Sequence, residues 1–141
     1  MMRPQLITYQ VQIRIPLVIQ KNYQAWLVDH VVGNPTAGIL GMLELVTDAG
    51  APLFVRAEIR QAKSPLYPDH SLYRVNYYLE SLEMMELYEQ QFAAEMRQQA
   101  PAEFVGKAVI NRCLFLPEVI GEWSTELGAE QEAIEEWEVV I

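Results

Sequence analysis

The 141-residue chain is poor in cysteine and histidine, and it has no long apolar segment. Its single cysteine, Cys113, excludes an internal disulfide framework and favours a reducing compartment. No apolar run approaches the roughly 20 residues that a membrane-spanning helix needs, so no membrane association is expected. The first residues, Met-Met-Arg-Pro-Gln, contain no apolar signal core, and we therefore expect a cytoplasmic protein.

The two histidines and the one cysteine lie too far apart for a metal-ligand pattern, so no metal site is expected. The chain also lacks a glycine-rich phosphate loop and a nucleophile elbow, and we expect no cofactor. His70 follows Asp69 in the proline-rich stretch 63–70 and is interpreted as part of a solvated turn. His30 is therefore the main candidate for acid–base chemistry.

Basic residues are outnumbered, and the excess of acid is concentrated at the end of the chain. The net charge is −9, but residues 118–141 hold eight glutamates and no lysine or arginine. The remainder is nearly neutral, so no basic surface is available for nucleic acid. We predict a domain over 1–120 and an acidic amphipathic extension over 121–141. Five apolar residues of this extension share one helical face: Trp123, Leu127, Ile134, Trp137 and Ile141. We expect this face to pack on the body of the protein or on a partner subunit. The alternative is a disordered extension.

The sequence pattern predicts four strands and the helices between them. Three segments show the two-residue period of a strand, 6–19, 53–61 and 71–80, and the strongly apolar segment 109–116 is predicted as a fourth strand. Asn22 is predicted to cap a helix that Gly33 ends, and Ser81 to cap a helix over 82–99. Residues 37–46 fit helix or strand, and we interpret them as helix. The fold class predicted is α+β: a ferredoxin-like βαββαβ antiparallel sheet with helices on one face.

Arginines cluster on one face of this predicted sheet. Five of the seven are expected on the side away from the helices: Arg14, Arg56, Arg60, Arg74 and Arg112. Like charges on neighbouring strands repel, so an anionic or hydrogen-bonding group should face them. Phe54, Ile110 and Leu114 are placed on the same side, which favours burial in a homodimer over an exposed face. Cys113 is expected to point into the core.

Three segments carry a family resemblance: YRVNYYLES (73–81), EQQFAAEMR (89–97) and FVGKAVINR (104–112). With Trp26 and His30, they resemble a bacterial domain-of-unknown-function family of ferredoxin-like, dimeric α/β-barrel proteins. That family is similar to cofactor-free monooxygenases of the antibiotic-biosynthesis type. The resemblance covers about residues 6–120. The chain departs from it in 33–50, in 63–70 and in the tail. It implies a homodimer and matches His30 to a histidine of the family.

Two functions from different classes remain open. The first is a non-catalytic homodimeric module that binds a small ligand or a protein partner. The alternative is a small cofactor-free monooxygenase-like enzyme, with its substrate between the helices and the sheet and His30 as base. Trp26, Tyr77 and the five arginines are the candidate ligand-binding residues. An apolar pocket lined by Trp26, His30 and Tyr77 would favour the enzyme.

Overall fold

The structure is a computed structural model that describes residues 5–125. This part of the chain is an α+β fold with one four-stranded antiparallel sheet and three α-helices. The bounds are β1 Ile7–Pro16, α1 Gln20–Val32, β2 Arg56–Ala62, β3 His70–Leu79, α2 Leu82–Gln91, α3 Ala93–Arg97 and β4 Val109–Phe115.

The strands lie in the order β2-β3-β1-β4, which is compatible with a ferredoxin-like arrangement. Tyr9 pairs with Tyr77, and Val11 lies between Val75 and Arg112, so these side chains share one face. We call it the inner face, because the buried residues of α1, α2 and α3 pack against it. The other side of the sheet, which carries Gln10, Gln12 and Asn76, is the outer face.

Four aromatic rings form the centre of the core on the inner face. Tyr9 contacts Tyr77, Tyr88 and Phe54, with ring centroids 5.9, 5.8 and 6.4 Å away. Phe54 is only 1% exposed, so its predicted place on the outer face is wrong. The reason is that β2 begins at Arg56, so the strand alternation does not extend back to residues 53 and 54, and both are buried.

Residues 37–46 are not the helix that was predicted. They contain the end of one short 3₁₀ turn, Pro35–Ala37, and a second over Met42–Glu44. Gly38 has φ +71°, which a helix does not allow. Gly41 lies so close to the backbone of Val32 and Gly33 that a Cβ atom would collide with it. The two glycines therefore fold this segment against the end of α1.

Two helix predictions also need correction. The structure begins α1 at Gln20, after a 3₁₀ turn, so Asn22 lies inside the helix and does not cap it. Ser81 does cap α2, since its hydroxyl accepts a hydrogen bond from the Met84 amide. The helix predicted over 82–99 is interrupted at Phe92, where φ is −125°. This rotates the following turn, so that Ala93 and Met96 face the core.

The orientation of β4 is the opposite of the one predicted. Its register with β1 places Ile110, Arg112 and Leu114 on the inner face, and Cys113 on the outer face opposite Gln10. Cys113 is exposed. Both faces of β4 carry apolar residues, so alternation alone could not assign them. The predicted outer-face positions of Arg112, Ile110 and Leu114 are therefore wrong.

The predicted acidic extension falls mostly outside the described residues. Within residues 122–125, Trp123 is 87% exposed. Between residues 5 and 125, no helix has the length and apolar character to cross a membrane.

Candidate functional site

A cavity of about 220 Å³ lies between the inner face of the sheet and the helices. Strands β1, β3 and β4 contribute side chains to it, and so do α1, α2, α3 and the segment 100–108. Its aromatic lining residues are Tyr9, Tyr23, Trp26, Tyr77, Tyr88 and Phe104.

The periodicities of the sequence explain this lining. Tyr9 and Val11 are two residues apart on a strand and so point to the same side of the sheet. Tyr23, Trp26 and His30 follow at helical spacing and share one face of α1. Trp26 stacks on His30 with ring centroids 4.9 Å apart, and the edge of Phe104 meets Tyr23 at 5.1 Å. An apolar, aromatic wall is the result.

The tautomer of His30 follows from its hydrogen bonds. The Gln99 Nε2 group donates to the Leu40 carbonyl, 2.9 Å away, which turns Oε1 of the same amide toward His30. His30 Nδ1 lies 3.0 Å from that oxygen and therefore carries the proton that it donates. The other ring nitrogen, Nε2, then keeps its lone pair. His30 can accept a hydrogen bond or a proton at Nε2.

The protonation state of His30 agrees with this arrangement. Burial lowers its pKa below the ordinary value of 6.5, because the cation loses hydration. The hydrogen bond to Gln99 opposes this effect, and the positive charge of Arg112 adds to it. His30 is therefore neutral at pH 7 and available as a base.

Phenol groups supply further polar atoms along the cavity. The Tyr9 hydroxyl accepts a hydrogen bond from Arg97, at 3.2 Å. Within residues 5–125, the hydroxyls of Tyr23, Tyr77 and Tyr88 form no hydrogen bond. Burial raises the pKa of each of these three phenols, to about 12 for Tyr23, and the charge of Arg112 partly offsets it. All three are neutral donors at pH 7.

Among residues 5–125, the charged residues that line the cavity are both basic, Arg97 and Arg112. Arg97 is paired with Glu89, at 2.8 Å. Arg112, on β4, forms no ion pair or hydrogen bond with any residue in the described part of the chain. No aspartate or glutamate of this part of the chain lines the cavity. In a chain with 19 acidic and 10 basic residues, such a local excess of positive charge is unusual.

The other four predicted arginines lie on the outer face, away from the cavity. Glu58 is the counter-charge of two of them, with Arg56 and Arg60 at 3.3 and 3.6 Å. Burial alone would raise the pKa of Glu58, but hydrogen bonds from Asn76 and Tyr78 and the charges of Arg60 and Arg56 outweigh it and lower the pKa. Arg14 lies over the Tyr67 ring, at 3.9 Å. Arg74 lies opposite Arg60 in the register of β3 and β2.

The structure thus brings together four of the predicted site residues: Trp26, His30, Tyr77 and Arg112. Sequence reasoning missed Tyr23, Tyr88 and Phe104, although the helical spacing of Tyr23 and Tyr88 was a usable signal. It also missed Gln99, since nothing local links that residue to His30. Among residues 5–125, no group of three histidine, cysteine, aspartate or glutamate side chains is placed to bind a metal.

Comparison with known proteins adds no further constraint. No protein-family model, no curated protein and no solved structure matches the chain. The chemistry of the cavity is therefore the basis on which a function can be assigned.

Proposed function

We propose that this protein is a binding module for a small aromatic molecule, held in the cavity between the sheet and the helices. The observation that carries the proposal is the aromatic lining. Tyr9 contacts both Tyr77 and Tyr88, and Trp26 of α1 contacts Phe104 in the segment before β4. Such walls favour a flat apolar ligand through offset or edge-to-face ring contacts.

The volume of the cavity limits the size of the ligand. An engineered apolar cavity of about 150 Å³ admits benzene. The cavity here, at about 220 Å³, is somewhat larger. Sites for drug-sized molecules start near 300 Å³. The ligand is therefore a single ring with one short substituent.

The proposal is tested by filling the cavity. Saturation-transfer NMR on the full-length chain is expected to show binding of toluene. Ala108 lines the cavity, and Ala108→Phe should abolish the signal, because the new ring occupies the ligand's volume. Ala25 is exposed on the outer side of α1, so Ala25→Phe is the matched control and should bind like the parent. Equal signals from the parent and Ala108→Phe would refute the proposal.

A second candidate function is supported by His30. His30 lines the same cavity and keeps Nε2 unprotonated, as the base of a cofactor-free enzyme of the monooxygenase type would require. His30 would remove a proton from an activated C–H bond, and dioxygen would be the co-substrate. An activated CH₂ group and O₂ would then give a carbonyl group and water.

The proton-removal step can be tested without oxygen. Phenylacetone has acidic C–H bonds between its single ring and its ketone, and its hydrogen exchange in D₂O can be followed by NMR. The second candidate predicts exchange faster than in buffer with the parent and no acceleration with His30→Gln. Equal exchange rates with both proteins would leave only the binding function.

We further propose that two copies of the chain associate through the outer face, as in a dimeric α/β barrel. Support comes from Phe115 and Val109, which lie on this face and are 49% and 46% exposed. Sedimentation at tens of micromolar should give twice the 16.2 kDa mass of the chain. Phe115→Glu should give a monomer, and Val18→Glu, at a 92% exposed turn, should not. A monomeric parent would contradict this proposal.

A further inference from the structure

The cavity has a feature that an apolar ligand does not use. Its lining includes two arginines, a neutral histidine and four tyrosines, but no carboxylate from residues 5–125. Arg97 already has two partners, the Glu89 carboxylate and the Tyr9 hydroxyl. Arg112 has none among the described residues. We infer that Arg112 binds the carboxylate of the ligand, and that the ligand is an aromatic acid of one ring.

The position of Arg112 fits this role. It lies on the inner face of β4, directly opposite Val11, and so next to the apolar floor of the cavity. β4 is an edge strand, and its residues are exposed. Arg112 therefore remains hydrated without a ligand while its charge borders the cavity. A guanidinium group presents parallel N–H donors that match the two oxygens of a carboxylate.

The other polar groups are consistent with an acid whose ring lies deeper in the cavity. The unpartnered hydroxyls of Tyr23, Tyr77 and Tyr88 can donate to the carboxylate or to a ring substituent. His30 Nε2 can accept from a hydroxyl group on the ring. A cationic ligand would find no opposite charge in the described lining, since none of the acidic residues between 5 and 125 borders the cavity.

The inference depends on the proposed binding function, and one set of probes separates the two. Benzoate, benzamide and benzamidine have nearly the same shape but are an anion, a neutral molecule and a cation. Toluene reports on the apolar cavity alone. Calorimetric titration of the full-length chain at pH 7 should rank them benzoate, then benzamide, with benzamidine weakest.

Arg112→Met should weaken benzoate binding about 10- to 100-fold, the range for losing hydrogen bonds to a charged group. It should change benzamide and toluene binding little. Arg112→Lys should retain part of the preference for benzoate, since it keeps the charge and loses the paired donors. Arg60→Met removes the same charge from the outer face and should bind benzoate like the parent. A melting curve checks that each variant is folded.

Each outcome decides one of the two proposals. Equal binding of benzoate and benzamide, or no effect of Arg112→Met on benzoate, overturns the role of Arg112 and leaves the cavity proposal standing. Tighter binding of benzamidine overturns it as well. If none of the four probes binds, both proposals fail.

Discussion

His30 is a partly buried imidazole held in one tautomer by a residue that is distant in the chain. Gln99 lies 69 positions away, and its amide is itself held by the Leu40 carbonyl. The imidazole is thereby positioned with Nε2 free, while burial and the Arg112 charge keep it neutral. This is the arrangement expected of a hydrogen-bond acceptor or a base in a ligand site.

The lowered pKa of His30 makes stability depend on pH. The unfolded chain takes up a proton at His30 near pH 6.5, and the folded chain only at lower pH. Between these values the unfolded state binds more protons, so the free energy of unfolding should fall as the pH is lowered, by at most about 1.4 kcal/mol per pH unit. His30→Gln should show a shallower slope from pH 6.5 downward. Denaturant titrations at several pH values measure the free energy of unfolding of both proteins. Equal slopes against pH for the parent and His30→Gln would contradict a lowered pKa of His30.

Glu58 holds the polar side chains of the outer face together. Its folded-state pKa is lowered below 4.5, so its contribution to stability is present above that value and is lost as the pH falls through the folded-state pKa. Glu58→Gln should cost about 1–2 kcal/mol at pH 7, since two partly exposed ion pairs and two charge-assisted hydrogen bonds are weakened.

The matched control for Glu58 is Glu80→Gln, at an exposed position beyond the end of β3, which should cost almost nothing. The difference between the two variants should disappear at acidic pH, where Glu58 is protonated in both folded and unfolded states. A constant difference from pH 7 to pH 3, measured by urea unfolding, would show that charge is not the cause.

At the level of secondary structure, regular alternation was the reliable signal. The alternation predicts β3 nearly to both ends and β1 to its start, because one side of each is consistently apolar, but residues 17–19, predicted as strand, form a 3₁₀ turn. The sequence predicts β4 at the right place but assigns its two faces the wrong way round, because Val109 and Phe115 are as apolar as Ile110 and Leu114. Arg112 was selected as a binding residue and placed on the wrong face for the same reason. Only its pairing with Val11, a long-range contact, places it at the cavity.

The segment between α1 and β2 supports the site, although local patterns predicted it wrongly. Leu40 provides the carbonyl that orients Gln99, and Met42 lines the cavity. The apolar spacing of Leu40, Leu43 and Val46 imitates a helix. The close approach of Gly41 to the end of α1, which no periodicity reveals, decides the conformation instead.

Gly41→Ala should test this account of the segment. A Cβ atom there would overlap the backbone of Gly33 and Val32, so we expect a loss of about 1–3 kcal/mol. Gly38 has φ +71° but open space around it, and Asn tolerates that conformation, so Gly38→Asn should be nearly neutral. Thermal unfolding compares them; an equal loss for both variants, or none for Gly41→Ala, would contradict the packing described.

For the whole molecule, the distribution of charge is the feature that composition predicts least. The net charge of −9 suggests a protein that repels anions. The glutamates are concentrated at the end of the sequence, and the part of the chain that the structure describes lines the cavity with arginine and with no acidic residue. Length, apolar content and strand order were enough for the α+β class. The cavity itself could not be predicted. It depends on the distances that separate α1, α3 and the segment 100–108 from the sheet, and no local sequence pattern gives those distances.

The most direct test of the central claim is a two-dimensional ¹H–¹⁵N NMR titration of the full-length chain with benzoate. The account predicts shifts at the Trp26 indole N–H and at the backbone amides of 104–112. The Trp123 indole, which is 87% exposed, is the internal control and should not move. Shifts confined to the outer face, around Glu58 and Arg60, would contradict the account, as would a spectrum that benzoate leaves unchanged.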